Sequence, residues 1–222
     1  MGFINELEIA FENSRNNTHA VPMQKYMKNL FPFFGIKTEK RRAILKTVFE
    51  NHEQELLQNS RAIAISLFIK ADREFHYCAI EILIKTLKNK YVKDDIQLIE
   101  RLLSTHSWWD SVDIVSKFIL GEYLLEFPEE TDVVIERFSN STNMWLNRSA
   151  ILFQLGYKSK TSSEVLFEQC LKNSTSNLFF IKKAIGWALR EYGKTNPEAV
   201  KAFVLKSKLK PLSKKEALKN LP

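Results

Sequence analysis

Glycine and proline are scarce, with only six of each in 222 residues. A protein of many short strands needs frequent turn residues, so a turn-rich β architecture is excluded. Cysteine is scarcer still. Cys78 and Cys170 lie far apart on helical patterns, which suits reduced core thiols in a cytosolic protein rather than a disulfide scaffold. The histidines His19, His52, His76 and His106 show no metal-ligand spacing, so neither a metal nor another cofactor is expected. No apolar run approaches the roughly 20 residues of a membrane span. The opening "MGFINELEIAFEN" lacks the basic segment and apolar run of a signal peptide. Its Met-Gly start would suit N-myristoylation, but Glu6 stands where Ser or Thr is needed. A cytoplasmic monomer without membrane association is therefore expected.

What is abundant is helix-forming sequence with an excess of positive charge. Apolar residues recur at spacings of three and four, broken by short polar stretches. This predicts helices near 3–13, 22–30, 38–50, 60–70, 73–89, 94–104, 108–126, 131–138, 143–156, 163–172, 178–193, 197–206 and 212–220. Caps are expected at Thr38, at Ser107 paired with Asp110, and at Asn196 before Pro197. The net charge of +7 favours polyanionic partners without naming one. With 45% hydrophobic residues the chain can bury a substantial core.

Alternate helices share a small residue followed by a branched apolar one: Ala43-Ile44, Ala79-Ile80, Ala150-Ile151, Ala184-Ile185 and Ala217-Leu218. The gap between the second and third pairs is twice the others. Asp113-Ile114, with Trp109 four residues earlier, divides it. The result is about six helical pairs at a period near 35 residues, an all-α solenoid of HEAT-like repeats forming one domain over 1–222.

Two residues before each small one stand Arg41, Tyr77, Ser111, Arg148, Lys182 and Lys215. Equivalent positions on stacked helices form a stripe, and cations there would give a concave basic face suited to a phosphate backbone. A solvated helix face is the plainer reading. The one repeat that departs puts Asp113 where the others put alanine. A carboxylate at a close-packed position needs a partner or a task, and Trp109 shares its face. Lys183, Trp187 and Arg190 likewise share a face of the helix "FFIKKAIGWALREY", with Gly186 leaving space beside the indole. For that tryptophan the bland alternative is a core residue flanked by solvated cations. Trp108 reads as packing.

At "YMKN" (Tyr26 to Asn29), "FFGIKTEKRR", "SWWDSVD", "MWLNRSAILFQL", "FFIKKAIGWALREYGKTNP" and "PLSKKEALK" the chain resembles the AlkD family of DNA alkylation repair glycosylases, bacterial HEAT-like proteins. The resemblance spans nearly the full chain. It implies cleavage of the N-glycosidic bond of N3- and N7-alkylated purines in double-stranded DNA, with two tryptophans and an aspartate, matching Trp109, Trp187 and Asp113, forming the catalytic cleft. An arginine matching Arg148 contributes to that site. The resemblance also implies action from the backbone side without a base-flipping pocket.

The expected DNA contacts are Arg148, Lys182, Lys183, Arg190, Tyr26, Lys37, Arg41 and Lys215. Lys37 stands where some relatives carry glutamine. The sequence ends just after its last helix, so no family tail is expected. Because no lysine is singled out as a Schiff-base nucleophile, the expected enzyme is monofunctional, leaves an abasic site, and associates with the nucleoid through DNA. The alternatives are a non-catalytic solenoid that binds damaged DNA and a protein-binding HEAT scaffold. Neither needs a carboxylate facing DNA.

Overall fold

The computed structural model describes residues 1–221, and these are helical with no strand. They divide into two compact units, one of residues 1–92 and one beginning at Lys93.

The first unit contains α1 (Phe3–Glu12), α2 (Asn17–Tyr26), α3 (Thr38–Asn51), α4 (Glu53–Phe68) and α5 (Arg73–Leu87). Phe3, Leu7 and Phe11 repeat every four residues along α1 and are fully buried. That stripe removes about 25 cal/mol per Å² of apolar surface from water. The second helix lies earlier than the expected 22–30. The Asn16 side chain accepts from the His19 amide and starts the helix five residues ahead of Pro22, which is then carried inside it. The expected start at residue 60 is also too late. Helix α4 begins at Glu53 and passes a non-helical Asn59.

A buried carboxylate orders the loop ahead of α3. Glu74 accepts the amides of Phe34, Gly35 and Ile36 at 2.9–3.2 Å. Gly35, at φ +82°, turns so closely past Asn16 that a Cβ would lie 2.1 Å from its carbonyl oxygen. Thr38 does not cap α3. Lys37 holds the cap position without a side-chain bond, and Thr38 is already helical.

The second unit contains α6 (Asp95–Ser104), α7 (Trp109–Val115), a π-helical stretch at Ser116–Leu120, α8 (Gly121–Glu126), α9 (Thr131–Ser139), α10 (Met144–Leu152), α11 (Ser163–Lys172), α12 (Phe179–Gly193), α13 (Pro197–Lys206) and α14 (Pro211–Ala217). Asn196 caps α13 as expected, accepting from the Ala199 amide. Asn143 and Ser162 cap α10 and α11 in the same way. Ser107 does not cap α7. Its hydroxyl donates to the Leu103 carbonyl at 2.7 Å and so closes the end of α6, while Trp108 takes the cap position of α7. Helix ends leave carbonyls as well as amides unpaired, and here a carbonyl takes the hydroxyl.

The register-bearing residues fall on α3, α5, α7, α10, α12 and α14, alternating with helices that lack them. This is the α-solenoid arrangement the period predicts. Ala79, Ala150, Ala184 and Ala217 are fully buried or nearly so, as close helix packing requires. Ala43 is the exception and is exposed, because Leu45, Val48 and Phe49 carry the buried face of α3 instead. Both cysteines are buried and unpaired, with burial pushing the Cys78 thiol up to about 12. No described helix is long and apolar enough to cross a membrane.

Close approach is most demanding where α8 begins. A Cβ on Gly121 would lie 2.6 Å from the Phe153 carbonyl oxygen, and the Tyr157 hydroxyl donates to the Gly121 carbonyl at 2.5 Å. Gly121→Ala must therefore push these segments apart. The expected cost is about 1–3 kcal/mol, read as a lower Tm in a thermal melt. An unchanged Tm would show that the segments separate freely.

Candidate active site

Asp113 lies one turn after Trp109 on α7, and its carboxylate is only 12% exposed. Its partner is Arg148 from α10. Arg148 Nε donates to Asp113 Oδ1 at 2.7 Å and Nη2 donates to Oδ2 at 2.9 Å, a two-bond fork. The third edge of the guanidinium, Nη1, donates to the Phe180 carbonyl at the start of α12. One buried side chain thus ties together α7, α10 and α12. Trp187 sits on α12 two turns beyond Phe180, about 10 Å along the helix. It is partly buried and packs on the core that includes Ala184, Ile185 and Ala188.

An aromatic cluster backs the fork. Trp108 packs against Trp145 and Phe180 with ring centroids at 5.7 and 5.2 Å, and Trp145 lies 5.1 Å from Phe180. Edge-on and tilted pairs of this kind contribute about 0.5–1.5 kcal/mol each beyond area burial. Trp108 is packing, as the sequence suggested. Its Nε1 is buried and finds no hydrogen-bond partner among the described residues. Below the fork, Ser116 Oγ donates to Ser149 Oγ at 2.8 Å and joins the π-helical stretch to α10. Nothing in the sequence marked this serine pair, nor the grip on the Phe180 carbonyl, because a backbone acceptor leaves no residue signature.

Burial raises the Asp113 carboxyl above the ordinary aspartate value. The Arg148 guanidinium opposes that rise, and the negative charge of Asp110, one turn earlier, adds to it. Asp110 thus adds negative charge beside the fork.

The expected DNA-contact residues have different surroundings. Lys182 is partly buried and Lys215 exposed. Arg41 is buried against Glu81 at 2.9 Å. Arg41 and Arg148 each stand one turn before a buried leucine, Leu45 and Leu152, which carries them inward. The expected stripe of exposed cations is therefore interrupted at both. Tyr26 and Lys37 are exposed in the first unit. Lys183 and Arg190 both meet Glu216 of α14, at 2.9 and 2.8 Å. Gly186 does not leave an open space beside Trp187. A Cβ there would lie 2.3 Å from Glu216 Cβ, so α14 occupies that space.

The comparisons give the family. The family model described as "DNA alkylation repair enzyme" matches residues 7–221. The chain belongs to that family. A solved structure from Enterococcus faecalis, titled "Predicted DNA alkylation repair enzyme", is 31% identical and covers 93% of this chain and 96% of its own, with a TM-score of 0.82. No curated protein matches this member of the family. The family is one of DNA alkylation repair, which implies DNA as the partner. Among the described residues no cluster of three or more His, Cys, Asp or Glu could hold a metal ion.

The two neighbours of Asp113 pull its proton affinity in opposite directions. Carbon NMR of the labelled side chain is expected to titrate at lower pH in Asp110→Asn and at higher pH in Arg148→Gln. Movement of either variant in the other direction would contradict these assignments.

Proposed function

We propose that the protein is a monofunctional glycosylase that hydrolyses the N-glycosidic bond of cationic N3- or N7-alkylated purines in duplex DNA. The observation that carries this reading is a carboxylate held by a buried arginine beside a tryptophan, at the one repeat position that elsewhere takes alanine. A protein that only bound DNA would not need a carboxylate facing the backbone.

The alkyl group gives the purine a positive charge, so the base departs without being protonated. When the bond from C1′ to the purine breaks, its electron pair passes to the base and neutralises it. The sugar is left oxocarbenium-like. In this reading Asp113 faces the sugar, and a fixed carboxylate in a poorly solvated site stabilises the developing charge far better than water does. Water then adds to C1′, and its proton passes to Asp113 or to solvent. The indole faces of Trp109 and Trp187 attract the same cation, by about 0.5–2 kcal/mol each.

Arg148 acts through Asp113 in this reading. Its fork fixes both carboxylate oxygens and opposes the rise in proton affinity that burial brings. Selectivity then comes from the charge on the lesion rather than from a pocket shaped to the base, and action without base flipping fits that chemistry. Lys182, Lys183, Arg190 and Lys215 supply the phosphate-binding charge of the second unit, with Tyr26 and Lys37 as contacts in the first, while Arg41, buried on Glu81, takes no such part. The protein would work as a cytoplasmic monomer associated with the nucleoid.

The test is release of 7-methylguanine and 3-methyladenine from methylated duplex DNA. The unmodified protein should release these bases and leave abasic sites, with neutral lesions untouched. Asp113→Asn should lose roughly 100-fold or more in rate. No release by the unmodified protein would defeat the enzyme reading, and full activity in Asp113→Asn would remove that residue from its role.

A further inference from the structure

Glu216 poses a problem for a DNA enzyme, since it brings a carboxylate to the basic side of α12. Lys183 and Arg190 lie one turn before and one turn after Trp187 on that helix. Glu216 reaches between them from α14. Its Oε1 meets Lys183 Nζ at 2.9 Å, and its Oε2 meets Arg190 Nη1 at 2.8 Å. Arg190 Nη1 also lies 3.3 Å from the Glu216 carbonyl oxygen. The approach depends on Gly186, whose missing side chain admits Glu216 Cβ and the α14 backbone.

These residues border an open pocket of about 490 Å³, completed by Lys194, Lys219 and Asn220. Four cations and one carboxylate line it. Lys194 is already paired with Glu191 at 2.5 Å. The Lys183 and Arg190 contacts hold the Glu216 carboxyl below the usual carboxylate range.

Two oxygens shared between two cations is also how the non-bridging oxygens of a phosphate group would sit there. The side chains are 39%, 26% and 16% exposed for Lys183, Arg190 and Glu216, so solvent and ligand can reach the pair. An ion pair that solvent can reach is held less tightly than a fully buried one, so one anion can replace another there.

We infer that the Lys183–Arg190 pair is a seat for a phosphate group of the DNA backbone, which the Glu216 carboxylate fills until duplex DNA displaces it. This rests on the reading of the chain as an enzyme of duplex DNA and adds the regulation of one subsite. Glu216 is a positioning residue. It keeps two like charges aligned next to Trp187 and makes each DNA contact there an exchange of anions. That exchange lowers the affinity for undamaged DNA in general.

Unmodified duplex tests this without any excision step, so failure here and failure of the glycosylase reading are separately visible. The Kd of a fluorescent 20-base-pair duplex would be measured over a range of KCl for the unmodified protein, Glu216→Gln, and Glu216→Gln with Lys183→Gln. Glu216→Gln should bind several-fold tighter. Its plot of log affinity against log salt should be steeper by about one, since each phosphate neutralised adds about 0.9. The added Lys183→Gln should cancel that gain. Equal or weaker binding by Glu216→Gln, with an unchanged slope, would overturn the proposal.

Inorganic phosphate forms a second arm, followed by the NMR signals of the Lys183 and Arg190 side chains in Glu216→Gln. Saturation by phosphate with no change in duplex binding would assign the seat to free phosphate and overturn the DNA assignment. Shifts on duplex addition that phosphate reproduces only weakly would support it.

Discussion

The fork between Arg148 and Asp113 is the contact on which the second unit's site depends. It is buried, it uses both carboxylate oxygens, and the same guanidinium holds the Phe180 carbonyl. Buried ion pairs add little net stability, because desolvation offsets most of their attraction. Breaking one is another matter, since the charge left behind costs about 3–5 kcal/mol. The fork thus makes any other arrangement of α7, α10 and α12 expensive. What it secures is the position of a carboxylate on the helix that carries Trp109, tied through Arg148 to the helix that carries Trp187.

The surroundings reinforce that single arrangement. Trp108, Trp145 and Phe180 form a packed aromatic wall on the same helices. The Ser116–Ser149 bond joins the π-helical stretch to α10. A π-helical turn costs some backbone regularity and is common near functional sites. Here it follows directly on the helix that carries Asp113. Glu216 plays a comparable part on α12, where it aligns two cations that would otherwise repel.

The helical class and the repeat were legible in the sequence, because a small residue at a close helix contact leaves a periodic mark. Asp113 stood out for the same reason, as the one break in that mark. Ala43 shows the limit: it shares the register but is exposed, since α3 buries a different face. Caps were less legible. A Ser or Thr near a helix boundary can serve either end, and Ser107 closes α6 rather than opening α7. The cations misled most. Sequence position gives charge but not pairing, so Arg41 and Arg148 read as surface groups although both lie buried on carboxylates. Glu216 was invisible at that level, because its meaning comes from two residues on another helix.

The central claim is that Arg148 and Asp113 act as one unit, and a double-mutant cycle on base release tests it most directly. Excision of 7-methylguanine would be timed under single-turnover conditions for Asp113→Asn, Arg148→Gln and the pair. Groups that work as a unit are non-additive. The double variant should be no slower than Asp113→Asn alone, while Arg148→Gln alone is strongly impaired. Losses that multiply would contradict the account, because Arg148 would then act independently of the carboxylate it holds.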